Sequence, residues 1–311
     1  MCDRRDFRLL AALVCVSLLS AFVRPALAED KADVGKKPDS KFLRFIDDGD
    51  GGGRLEAAIT TYEKDGVKVH LVSAVHVGEK KYYDGLAKTF QGYDSLLYEM
   101  VKPKDAPVPG AGARSESMVS AFQRMLKDAL ELEFQLDAID YTAKNFVHAD
   151  LDAETFEKMQ AERGESIFTL MLRQLLDEMS KPQQAPEIEL PELLMAFLSP
   201  DSARHFKLIL AKQFQDIDAK VSGLEGPGGS VLVTERNNAA INVLKDSIAK
   251  GQKNIGIFYG AAHMSGMSKK IEEMGFKWVD TEWRVAWDMT PKEGDFIIKQ
   301  VKKKPEAAQQ N

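Results

Sequence analysis

Apolar and polar residues alternate in two different periods along this chain, and the switches between them mark its elements. From Leu55 to Tyr62 and from Val67 to Val75 the β-branched content, broken by Lys64-Asp65-Gly66, predicts a hairpin. Tyr82, Tyr83, Leu86, Ala87 and Phe90 then recur at helical spacing, and Ser95 to Met100 reads as a buried strand. Strand, helix and strand make a βαβ-like unit if the two strands run parallel. Upstream, Phe42 to Ile46 predicts a short strand, and the acidic glycine stretch Asp47 to Gly53 predicts a turn. A calcium loop starting at Asp48 would need a carboxylate at its twelfth position, which is Ile59.

After a Pro-, Gly- and Ala-rich loop from Lys102 to Gly112, about a hundred residues carry apolar stripes of helical period. Met118, Phe122, Met125, Ala129 and Leu132 form one; Ile167, Leu170, Met171, Leu175 and Met179 a second; Phe206, Leu210, Phe214 and Ile217 a third. Pro182, Pro186, Pro191 and Pro200 cut the region into separate helices. Methionines on such stripes are core filler. Gly226-Pro227-Gly228-Gly229 breaks the run without the lysine of a phosphate loop. A helix follows to about Lys250, ended by Gly251; then come a strand at Asn254 to Tyr259, a helix to about Met274, and one or two closing strands between Phe276 and Met289. The expected fold is therefore α/β: a central mixed β-sheet with flanking helices and a large all-helical insertion at about 113–222, within a single domain spanning 41–301.

Composition changes the picture mainly at the ends. Arg4, Arg5 and Arg8 precede an apolar run from Leu9 to Val23 and the small-x-small site Ala26-Leu27-Ala28, the order of a secretory signal peptide over residues 1–28. At about 15 residues the run is short for a bilayer span, so membrane contact is expected only if the segment stays uncleaved. Residues 29–40 read as a flexible leader and 302–311 as a disordered tail. Both cysteines, Cys2 and Cys15, would leave with the signal, removing thiol catalysis, thiolate ligands and disulfides together. Of 42 Lys and Arg and 48 Asp and Glu, the signal takes four and two, leaving 38 against 46 and a net charge of −8, which disfavours a nucleic-acid partner. The exported protein would be periplasmic or extracellular.

The candidate chemistry sits where apolar runs end. His76 follows Val67 to Val75, and His263 follows Asn254 to Tyr259 through Gly260-Ala261-Ala262. Ligand sites in open α/β sheets collect beyond the carboxyl ends of strands, beside helix N-termini. Two imidazoles with Glu99, near the end of the strand from Ser95 to Met100, suit a divalent metal; a carboxylate can also serve as general base, and Arg236 can steady an oxyanion. Taken singly, each residue has a plainer reading: a histidine satisfied by hydrogen bonds, or a Glu235-Arg236 surface pair. Asp150 or Asp152 can cap a helix beginning near Leu151, or His148 or Asp150 can face the crevice. The Gly-x-Ser-x-Gly and His-Glu-x-x-His signatures are absent.

Ser73-Ala74-Val75-His76, Tyr98-Glu99, Glu235-Arg236-Asn237 and Gly260-Ala261-Ala262-His263, in this order, resemble the TraB/PrgY/GumN family, which is related to the TIKI proteases and more distantly to the ChaN and erythromycin-esterase groups. That family is marked by two Gly-x-x-His motifs, a glutamate after the strand following the first, and an arginine on the helix before the second. Ser73 replaces the first glycine, which keeps the site small but loses freedom at positive φ. The resemblance implies an α/β domain with a helical insertion and, in TIKI-like members, proteolysis dependent on manganese or cobalt; other members are implicated in pheromone inhibition or haem uptake. The expected function is an exported metal-dependent hydrolase acting on a peptide or protein substrate. His76 and His263 would ligate one divalent ion with Glu99 as third ligand or as base, Arg236 and Asn237 would stabilise and position the attacked carbonyl, and Tyr98, His148 and Asp150 would contact substrate. The alternatives are a non-enzymatic binder of peptide, haem or iron in the same crevice, and a structural domain with two core histidines.

Overall fold

The computed structural model describes residues 41–49, 51–108, 130–165, 194, 196–214 and 228–291. The expected signal segment, leader and tail, most of the first apolar stripe and all of the second lie outside the described residues.

The elements in order are β1 (Leu43–Asp47), β2 (Gly53–Lys64), β3 (Val67–Ala74), β4 (Val77–Gly78), α1 (Lys80–Phe90), β5 (Ser95–Tyr98), β6 (Glu133–Phe134), α2 (Gln135–Ala138), β7 (Phe146–His148), α3 (Ala153–Arg163), α4 (Ser202–Phe214), a π-helical turn (Val231–Glu235), α5 (Arg236–Ala249), β8 (Asn254–Gly260), α6 (Ala261–Glu273) and β9 (Lys277–Asp288). Seven strands form one mixed sheet, flanked by helices, while β4 and β6 pair separately. The β2–β3 hairpin closes on Asp65 and Gly66, both at positive φ, with Lys64 opposite Val67. β9 runs antiparallel along one edge of β2; β1 and β3 share the other, pairing with its first and second halves. Beyond β3 the sheet is parallel, in the order β3-β8-β5-β7. The two strands of the βαβ-like unit are thus parallel but separated by β8.

Alternation along these strands sorts side chains into two cores. Val72, Ala74, Leu96, Tyr98 and Phe258 face α1 and α4; Val69, Leu71, Leu97, Ile257 and Tyr259 face α5 and α6. The buried positions of α1, Tyr82, Tyr83, Leu86 and Phe90, are those of its apolar stripe. Two differences from the sequence expectation fall in the span 113–222. Leu132 leads into β6 rather than lying on a helix, and Phe146–His148 forms β7, an edge strand of the main sheet. Stretches of two and three residues are too short to carry a readable period, and only their distant partners make them strands.

Candidate functional site

The register of the parallel strands levels their carboxyl ends: Ala74 lies opposite Gly260, and Tyr98 opposite both Phe258 and His148. The residues that follow, His76, Glu99, Asp150 and the start of α6, therefore emerge at the same end of the sheet. The end of β3 is held by α1, whose Tyr82 and Tyr83 hydroxyls donate to the carbonyls of Ser73 (3.0 Å) and Val75 (2.7 Å). Ser73 is 1% exposed and lies within β3; among the described residues only Asp65 and Glu131 have positive φ without being glycine. The backbone here thus has no need of glycine's freedom.

Arg236 and Asn237 open α5, whose buried stripe continues through Ala240, Ile241 and Leu244. The two polar residues thus occupy the first turn of a face that packs on the sheet. Ahead of them, the π-helical turn is capped by Ser230, whose hydroxyl accepts from the Val233 N–H at 3.1 Å. A buried guanidinium is unfavourable unless anions offset it. Two do. Arg236 Nε and Nη2 donate to Asp150 Oδ1 (2.9 Å) and Oδ2 (2.6 Å), and Nη2 also donates to Glu99 Oε1 (2.7 Å). These partners outweigh the effect of burial and raise the Arg236 pKa.

The other oxygen of Glu99 accepts the N–H of Gly260, the N-cap of α6, at 2.6 Å. Burial pushes the Glu99 carboxyl up, but His263, Arg236, His76 and this N–H outweigh it and hold it at about 2. His263, 5% exposed, has Nδ1 2.7 Å from Asn237 Oδ1. Asn237 Nδ2 donates to the His263 carbonyl at 3.3 Å, which orients the amide so that Oδ1 accepts and Nδ1 carries the hydrogen. Burial, joined by Arg236 and His76, outweighs the two carboxylates and holds this imidazole at about 4. Near neutral pH, Nε2 of His263 is then a bare lone pair 3.7 Å from Glu99 Oε1. Arg236 and the Gly260 N–H are what keep the carboxylate ionised there.

His76 is exposed, with Nδ1 3.0 Å from Gln135 Oε1. Nε2 of His76 and Oε2 of Glu99 lie 3.0 and 3.3 Å from where Gly260 would carry a Cβ, so any larger residue at 260 would have to press both side chains back. Among the described residues no group of three or more His, Cys, Asp or Glu side chains forms a ready metal site. In kind, however, the donor set fits one: two imidazoles held through Nδ1 by amide oxygens, and an ionised carboxylate.

Of three further residues named from sequence, Tyr98 and His148 have other surroundings and Asp150 belongs to the cluster. Tyr98 is 2% exposed and packs edge-on against Tyr141 in the core under α1. His148 stacks edge-on against Tyr98 and hydrogen-bonds through Nε2 to the Met100 carbonyl at 2.6 Å. Asp150 joins Arg236, while Asp152 is the helix cap, accepting the Thr155 N–H at 2.8 Å. Gln135 escaped the sequence reading altogether, because its place beside His76 depends on the pairing of β4 with β6. Comparison with protein-family models, with curated proteins and with solved structures finds no match.

Proposed function

We propose that this protein is a metal-dependent hydrolase that acts on peptide bonds and is exported through its N-terminal segment. The observation that carries the reading is the juxtaposition of the unprotonated Nε2 of His263 and the ionised Oε1 of Glu99, two acceptors 3.7 Å apart. A bound cation would relieve that juxtaposition. His76, His263 and Glu99 would hold the ion, which would lower the pKa of a bound water towards 7 and polarise a carbonyl. The Glu99 and Asp150 carboxyl groups outnumber the Arg236 guanidinium, so the cluster favours a cation. A carboxyl held at about 2 takes up a proton poorly near neutrality, so the ligand role suits Glu99 better than that of base. Arg236 binds the two carboxyl groups together, and Asn237 fixes the His263 tautomer. The choice of a peptide bond rests on the resemblance to the TraB/PrgY/GumN family.

The test is cleavage of a peptide library, read by mass spectrometry, by chelator-stripped protein supplied with manganese, cobalt or zinc. His76→Ala and His263→Ala are each expected to lower metal-dependent turnover by more than about 100-fold, the upper end of what loss of a residue supporting a ligand costs. Full activity in both variants overturns the reading. The engagement of three Arg236 contacts by carboxylates favours a second reading, a binder of peptide, haem or iron without turnover. Metal uptake with no cleavage of any peptide is its signature.

A further inference from the structure

The group that holds His76 comes from a stretch with no recognisable motif. β4 and β6 pair antiparallel, Val77 with Phe134 and Gly78 with Glu133, which lays Gln135 against His76 although 59 residues separate them. The contact is double. The Gln135 N–H donates to the His76 carbonyl at 2.9 Å, and Gln135 Oε1 stands 3.0 Å from His76 Nδ1. Behind it, Gln135 Nε2 donates to the Tyr141 hydroxyl at 2.7 Å. Gln135 is 4% and Tyr141 2% exposed, and the Tyr141 ring is wedged edge-on against Tyr98 and Phe146. With its nitrogen on the phenol, the amide turns its oxygen to the imidazole. That oxygen accepts, so the hydrogen of a neutral His76 must sit on Nδ1. Nε2 is left bare on the side of Gly260 and Glu99.

We infer that Gln135, braced by Tyr141, is a positioning residue that holds His76 as its Nδ1–H tautomer and turns the Nε2 lone pair into the site. The consequence for activity rests on the hydrolase reading; the tautomer does not. Asn237 does the same for His263, so two unrelated parts of the chain supply the same device, an amide oxygen behind each imidazole.

The experiment uses the full chain, stripped of metal and labelled with nitrogen-15 histidine, in mildly alkaline buffer where imidazoles are neutral. The His76 signals are assigned by their loss in His76→Ala. Wild type is expected to give a protonated Nδ1 and a bare Nε2. Gln135→Met, similar in length but without an amide, is expected to move the hydrogen to Nε2, and Gln135→Glu to return it to Nδ1. Tyr141→Phe frees the amide to turn over and is expected to give a mixture, which supplies the answer if Gln135→Met does not fold. A wild-type hydrogen on Nε2, or signals unchanged in both Gln135→Met and Tyr141→Phe, overturns the inference. In parallel, calorimetry with manganese alone is expected to show binding weakened about 10- to 100-fold in Gln135→Met. A wild type with the expected tautomer that binds neither manganese, cobalt nor zinc would remove the metal from the proposed function and leave the positioning of His76 standing.

Discussion

Asp150 has no exposed side-chain surface, and both its oxygens accept from one guanidinium. Replacing it by Asn keeps the shape and removes the charge, leaving the buried Arg236 with Glu99 as its one remaining anion. Removing one partner of a buried pair costs about 3–5 kcal/mol. Asp150→Asn is therefore expected to lower the urea-derived unfolding free energy by about 3 kcal/mol; a loss under about 1 kcal/mol would mean that water already does the work of this carboxylate. The same scale shows what single residues reveal before a structure exists. His76, Glu99 and His263 were legible because each follows directly on an apolar run, where a strand must end. Tyr98 adjoins Glu99 and was read with it, yet alternation sends Tyr98 into the core beneath α1. Gln135 was illegible, since nothing local distinguishes it from other polar residues of that stretch.

Among the elements, α1 and α6 each carry an internal glycine, and the space around the two differs. A Cβ on Gly85 would meet nothing within 4 Å, whereas one on Gly266 would lie 2.7 Å from Asn237 Nδ2. Alanine is the better helix former by about 1 kcal/mol. Gly85→Ala is thus expected to raise the thermal midpoint, by the few degrees that this energy implies. Gly266→Ala must push back the amide that orients His263, and is expected to lower both the midpoint and metal-dependent turnover. Equal gains in the two variants would show that α5 and α6 have room to part. Element by element, the hairpin, the βαβ-like unit and the helices on either side of β8 were readable because each is long enough to display its period. The π-helical turn was not, because its widened hydrogen-bonding pattern depends on the packing of α5 rather than on the composition of Val231–Glu235.

For the molecule as a whole, convergence of four strand ends places an uncharged imidazole and an ionised carboxyl in one buried cluster, which ties folding to pH. In the unfolded chain an imidazole takes up a proton near 6.5, whereas folded His263 does so near 4. Between those values the unfolded state binds more protons, so stability falls as pH falls. Glu99 acts with the same sign, from 4.5 when unfolded to about 2 when folded. The His263 contribution is complete above about pH 6.5 and lost on the way to 4; the Glu99 contribution is complete above about 4.5 and lost on the way to 2. A pKa difference of two to three units corresponds to about 3 kcal/mol. Metal-free protein is therefore expected to hold a constant urea midpoint just above neutrality and to weaken steadily below about pH 6.5. Burial also lowers the pKa of His70, which is bonded to Asn254 behind β8, and this adds a decline of the same sign. Subtracting the profile of His263→Gln separates the two: the variant should lose about 3 kcal/mol less between pH 7 and 4 and show a smaller Glu99 decline below, because His263 is one of the groups that hold that carboxyl down. Identical profiles would mean that His263 is solvated rather than buried against Glu99, and the argument for a cation between them would fall with it.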